Sequence, residues 1–211
     1  MAKITETFTA HPSSYDSDHQ YYSITGASGA YAAETSSSNC SIGCTRGSVG
    51  AQTYIYFKFN TSSLNIPDGA TINSVQIAAK ARSSTGSTNN LRVRQMQACS
   101  GTTLKGTATS FTTNSNAQTL NVGTWTKEEL ADVRIRVYAE RGTNNINSGY
   151  TLTFYGATLT IVYSYSDGQG QDIFYKQNGS WVPVDSVFLK QNGSWVQVEE
   201  MLVKDSGTWK S

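Results

Sequence analysis

Phe174-Tyr175-Lys176-Gln177-Asn178-Gly179-Ser180-Trp181-Val182 returns almost unchanged as Phe188-Leu189-Lys190-Gln191-Asn192-Gly193-Ser194-Trp195-Val196. A looser third copy runs Leu202-Val203-Lys204-Asp205-Ser206-Gly207-Thr208-Trp209-Lys210, and the three tryptophans stand fourteen residues apart. Asn-Gly is the favoured centre of a two-residue hairpin turn because both central residues need positive φ, so each copy predicts strand, tight turn, strand. A hairpin this short buries too little apolar area to offset the ordering of its own backbone. The copies must therefore be covered by one another, by the rest of the chain or by another chain. Trp181, Trp195 and Trp209, with Phe174 and Phe188, are the expected attachment anchors, since aromatic side chains dominate interfaces of this kind.

Between residues 50 and 165 the apolar period is two. In Tyr54-Ile55-Tyr56-Phe57-Lys58-Phe59, Ile55, Phe57 and Phe59 share one face and Tyr54, Tyr56 and Lys58 the other, so the first three are expected in the core. After the turn signal Pro67-Asp68-Gly69, Val75, Ile77, Ala79 and Ala81 fall opposite Gln76, Lys80 and Arg82. Leu91/Val93, Val133/Ile135/Val137 and Leu159/Ile161/Tyr163 continue the alternation. Half-buried strands separated by Gly, Ser and Asn turns, without the helices that parallel crossovers need, predict an antiparallel sandwich over residues 1–165. One helical turn is expected at Thr126-Lys127-Glu128-Glu129, where Thr126 and Glu129 form a capping box. The first fifty residues carry weaker strand signals, with a long loop expected around Ser36 to Gly50. Asp167-Gly168-Gln169-Gly170 predicts a linker over 166–173, ahead of hairpins at 174–211. The expected class is all-β: an antiparallel, jelly-roll-like β-sandwich followed by short β-hairpin repeats.

Composition removes several function classes. Sixteen basic against fifteen acidic side chains leave a formal charge of +1, so no global field draws this chain to nucleic acid or an anionic membrane. No run of about 18 apolar residues exists to form a membrane-spanning helix. Met1 to Glu6 run straight into polar sequence without the apolar stretch of a secretory signal, which predicts synthesis in a cytoplasm. Three cysteines, Cys40, Cys44 and Cys99, are an odd number and too few to staple a fold of this length. Small buried thiols are the expectation, with a Cys40–Cys44 disulfide as the alternative.

Tyr54-Ile55-Tyr56-Phe57-Lys58-Phe59-Asn60-Thr61-Ser62-Ser63-Leu64, followed by Ile66-Pro67-Asp68-Gly69-Ala70-Thr71-Ile72, resembles the early strands of the DNRLRE-type, carbohydrate-binding-module-like sandwich. Tyr155-Gly156-Ala157-Thr158-Leu159-Thr160-Ile161-Val162-Tyr163 resembles the last strand of that domain, so the resemblance brackets residues 1 to 165. The Lys-x-x-Gly-x-Trp repeats are similar to those that end structural proteins of phages infecting Gram-positive bacteria. Together these resemblances imply a virion protein, a tail or tail-fibre appendage, with a host-surface or glycan-binding sandwich and an attachment or oligomerisation tail. A capsid decoration or head-fibre protein is the alternative, and a cell-surface carbohydrate-binding module or small glycan depolymerase a third. The expected partners are other virion proteins, further copies of the chain and a host cell-surface glycan, with no nucleic acid and no membrane insertion. No catalytic residue and no cofactor is implied.

The residues themselves give few chemical motifs. There is no Gly-x-Ser-x-Gly elbow and no phosphate-cradling Gly-x-x-x-x-Gly-Lys loop. His11 and His19 lie near Asp16 and Asp18 but at no zinc-type spacing, and Asp16-Ser17-Asp18 lacks the glycine and distal glutamate of a calcium loop, so no metal is expected. Glu34, Asp132 and Glu140 are scattered carboxylates whose separation in space would have to match a glycosidase pair. Arg92/Arg94 and Arg134/Arg136 alternate with apolar neighbours and are expected on outer strand faces. There, with Tyr54 and Tyr56, they are candidate contacts to a glycan or anionic surface; a solvated strand face is the plainer alternative. Tyr21, Tyr22 and Tyr31 are further aromatics of the same type.

Overall fold

The computed structural model describes the chain apart from residues 1–2, 17–21, 45–47, 144–148, 167–173, 178–179, 184–186, 192, 199–202, 206–207 and 211. The chain divides into two compact units, Glu6–Tyr163 and a second made of Met1–Thr5 with Ser164–Ser211. The linker expected at 166–173 lies, from residue 167 onward, outside the described residues.

Eleven strands precede the hairpins: β1 (Lys3–Ala10), β2 (Pro12–Tyr15), β3 (Tyr22–Thr25), β4 (Cys40–Cys44), β5 (Gln52–Phe59), β6 (Thr71–Ser83), β7 (Leu91–Ser100), β8 (Thr103–Ser110), β9 (Ala117–Leu120), β10 (Val133–Arg141) and β11 (Tyr150–Ser166). One sheet runs β3-β4-β11-β6-β9, with β1 also on β11; the other runs β2-β5-β10-β7-β8. If β2, β3 and β4 are left out and the remaining eight strands numbered in chain order, the sheets read 1-8-3-6 and 2-7-4-5. That is the strand order of a jelly roll, two Greek keys sharing two sheets. Every pairing with a described register is antiparallel.

The alternation sorts side chains as expected. Ile55, Phe57, Phe59, Ile77, Val133, Ile135, Val137, Leu159 and Ile161 are fully buried, while Val75 is only half-buried near the start of β6. The Phe57 ring on β5 stacks on that of Phe154 on β11, centroids 4.5 Å apart, so a strand of each sheet contributes to one core. Arg141 carries a charge into the interior: it is 2% exposed and lies 5.2 Å above the Tyr150 ring. The capping box forms as drawn. The Thr126 amide donates to Glu129 Oε2 at 2.8 Å and the Glu129 amide to Thr126 Oγ1 at 3.4 Å, opening a 3₁₀ turn at Glu129–Asp132 that leads into β10.

Two expectations are corrected. The loop expected around Ser36 to Gly50 contains β4, which buries Cys40, Ile42 and Cys44 and pairs with both β3 and β11. Its thiols act as small apolar groups at period two, so the strand is written in Cys-x-Ile-x-Cys. Leu91 and Val93 do not share a face either. A register shift at Glu140/Arg141 sets Leu91 against Arg141 and Val93 against Glu140, so Leu91 is buried and Val93 turns to the opposite side.

Three separate two-stranded hairpins follow: β12 (Phe174–Gln177) with β13 (Ser180–Pro183), β14 (Phe188–Gln191) with β15 (Ser194–Gln197), and β16 (Val203–Asp205) with β17 (Thr208–Lys210). Their register repeats as faithfully as their sequence: Lys176 pairs with Trp181, Lys190 with Trp195 and Lys204 with Trp209. Gly193, in the turn of the second hairpin, has φ +86, which an L side chain rarely adopts.

Candidate binding face

On β5 and β10 the face of the second sheet opposite the core is polar and aromatic. On β5, Tyr54, Tyr56 and Lys58 point away from the core; on β10, Arg134, Arg136, Tyr138 and Glu140 do so. The register sets Arg134 beside Lys58, Arg136 beside Tyr56 and Tyr138 beside Tyr54, and on the other flank Arg136 beside Gln97 and Tyr138 beside Gln95. Cross-strand neighbours on one face are in contact distance, so the surface is a continuous patch.

Its groups hold one another in place. Arg136 Nη2 donates to Gln97 Oε1 at 3.2 Å, and Gln97 Nε2 donates to the Gly106 carbonyl at 3.1 Å. The Arg136 guanidinium lies 4.8 Å above the Tyr138 ring, whose hydroxyl donates to Glu140 Oε2 at 3.0 Å. Tyr56 is 6% and Tyr138 9% exposed, and burial raises both phenols, Tyr138 to about 12 with the Glu140 bond adding to it. Cys99 sits under the same face fully buried, its thiol pushed up to about 11 by that burial.

At each end the charges are paired. Arg134 donates to both oxygens of Asp132, at 3.0 and 2.7 Å, and lies 3.6 Å from Asp16. Lys58 stands 3.3 Å from Asp132. The bond from Arg134 is the main reason the Asp132 carboxyl is held below its ordinary value. A general acid of a glycosidase needs the opposite shift. At the other end Arg92 chelates Glu140. A cleft of about 530 Å³ opens beside Lys58, with Asn60, Thr61, Ser62 and Lys127 at its mouth and Leu130 in its floor.

The structure therefore brings Tyr54, Tyr56, Arg134 and Arg136 together and adds Gln97 and Tyr138, which the sequence does not single out, Glu140, expected only as a scattered carboxylate, and Lys58, expected only on the outward face of its strand. Tyr138 and Glu140 were legible in principle, two and four residues beyond Arg136 on one strand; Gln97 belongs to another strand and needed the register. Arg92 reaches this face through the register shift at Glu140. Arg94 does not: it pairs with Ala139, on the core side of the sheet, and donates to the Thr85 carbonyl at 2.7 Å. Glu34 bonds Thr158, whereas Asp132 bonds Arg134 and Glu140 bonds Arg92 and Tyr138. His11 Nδ1 lies 3.1 Å from the Ala157 carbonyl while Asp16 faces Arg134, so the two do not converge; Asp18, His19 and Tyr21 lie outside the described residues. Among the described residues no group of three potential metal ligands occurs.

In the tail, Phe188 (52% exposed) and Trp195 (68%) share one face of the second hairpin, and Leu189 (62%) and Val196 (47%) occupy the other. Phe174, Trp181 and Trp209 hold corresponding places by backbone register; their side chains lie outside what is described. Neither a family model nor any curated protein matches this chain.

Proposed function

We propose that this chain is a non-catalytic structural protein of a bacteriophage virion, a tail or tail-fibre appendage whose two-sheet unit recognises a cell-surface glycan and whose hairpins attach it to the particle or to further copies of itself. The observation that carries the reading is the second hairpin. Four large apolar side chains lie exposed within ten residues, two on each face, and a monomer has no reason to keep such a surface in water. A two-stranded hairpin is at best marginally stable alone, so its repetition makes sense as an interface element. The resemblance of the repeats to phage structural-protein termini, and of the body to a carbohydrate-binding sandwich, supplies the biological setting.

Removal of residues 168–211 tests the division of labour. The truncated chain should stay folded with a similar melting temperature, and should fail both to enter particles and to associate. Immunogold labelling of particles assembled with either form reads the result. Unfolding of the truncated chain, or its normal incorporation, would show the hairpins to be part of the body's own stability or dispensable for attachment.

A further inference from the structure

We propose that Arg136 is the centre of an oxyanion subsite on the outer face of the second sheet, built for a carboxylate or phosphate group carried on a carbohydrate or polyol polymer. The inference rests on the reading of this face as the recognition surface and names the chemistry it selects. Among the described residues the face holds four cations, Lys58, Arg92, Arg134 and Arg136, and three carboxylates, Asp16, Asp132 and Glu140. Lys58 and Arg134 pair with Asp132 and Asp16 at one end, and Arg92 with Glu140 at the other. Arg136, between them, has no carboxylate partner among the described residues.

Its setting is that of a prepared donor. The guanidinium is fixed by Gln97, itself tied to the backbone at Gly106, and lies against the Tyr138 ring with Tyr56 beside it on the neighbouring strand. Its Nε is buried without a hydrogen-bond partner and out of a ligand's reach, so an oxyanion would be met by the Nη groups. A guanidinium offers five N–H donors in a planar fork that matches carboxylate and phosphate, and a partly buried cation without a counter-ion gains most from acquiring one. A neutral glycan is the poorer fit, because stacking on a sugar ring needs an open aromatic face and Tyr56 and Tyr138 are almost wholly covered. Gln97 is accordingly a positioning residue, holding the fork rather than meeting the ligand.

Titration calorimetry of the full chain against poly(glycerol phosphate), polygalacturonate and dextran tests the subsite. At low ionic strength the chain is expected to bind one or both acidic polymers and not dextran, and whichever acidic polymer binds identifies the source of the oxyanion. Arg136→Gln should weaken that binding about tenfold or more. Arg136→Lys, which keeps the charge and loses the fork, should fall between. Arg82→Gln, at an exposed position on β6, should change it less than twofold. Melting temperatures accompany each variant. Should Arg136→Gln not fold, Arg136→Lys and Gln97→Leu carry the test, and both must weaken acidic-polymer binding. Equal binding of dextran, or acidic-polymer binding that survives these changes, overturns the subsite and leaves a recognition face of another chemistry. Failure of the wild-type chain to bind all three polymers and purified Gram-positive cell wall overturns the recognition role as well.

Discussion

Cys40 and Cys44 occupy the two ends of an extended strand, and four residues of strand set their Cα atoms about 13 Å apart, where a disulfide needs less than about 7 Å. The alternative of a Cys40–Cys44 bridge is therefore not available within the folded chain, and all three cysteines are free and buried. Burial is also the leading cause that lifts their thiols, Cys40 to about 12 and Cys44 and Cys99 to about 11, so the reactive thiolate is scarce at neutral pH. Alkylation of the native protein at pH 8 should leave its mass unchanged, and alkylation in denaturant should add three adducts. A native adduct, or fewer than three after unfolding without reductant, would contradict this arrangement. Asp132 gives a pH signature of the opposite kind. Its carboxyl titrates lower in the folded chain than in the unfolded one, so acidification protonates the unfolded chain first. The stabilising contribution is complete above about pH 4 and is lost as the pH falls through the folded value. Asp132→Asn should flatten the stability profile in that acid window and leave the slope near neutrality unchanged, as read from urea midpoints across pH.

Strand β11 changes sides part-way along. Leu152 and Phe154 face the core before the irregularity and Leu159, Ile161 and Tyr163 after it, a switch from even to odd positions that passes through Gly156 and Ala157. Gly156 has φ +119, a Cβ there would lie 2.2 Å from the Ala32 carbonyl oxygen, and that same carbonyl accepts from the Ala157 amide at 3.0 Å. Gly156→Ala is thus expected to cost about 2 kcal/mol or more, measured as a lower denaturant midpoint at constant slope. This element also marks how far the sequence could be read. Period-two runs such as Ile55 to Phe59 and Val133 to Val137 were legible because apolar alternation is local. The short β4 was not, because its apolar positions are held by thiols and one of its outward positions by Gly43. Nor was the separation of Arg92 from Arg94, which an extra residue in one strand decides and no pattern within that strand records. The hairpins were legible because a turn preference and a repeat point to the same structure, down to the pairing of Lys with Trp in every copy.

The chain combines a unit with its own continuous core, Glu6–Tyr163, and a run of hairpins whose strands pair only two by two. The candidate face was partly legible at this scale: its arginines and tyrosines could be named from the chain, but their pairing into a balanced rim around Arg136, which has no carboxylate partner among the described residues, follows only from the register of three strands. The near-identity of the first two repeats carries a further consequence. Under the proposed attachment role each hairpin is one weak contact, and contacts tethered fourteen residues apart along one chain engage at high effective concentration once the first is made. Affinity then multiplies across the repeats rather than adding, and release requires all to let go together. Deleting residues 188–201, one full period, should leave a two-hairpin chain that docks at nearly the same rate and departs about tenfold faster or more, as followed by surface-immobilised dissociation from particles lacking the protein. A loss of only about a third in occupancy, with unchanged residence time, would mean that the hairpins act singly and that the repetition serves length rather than grip.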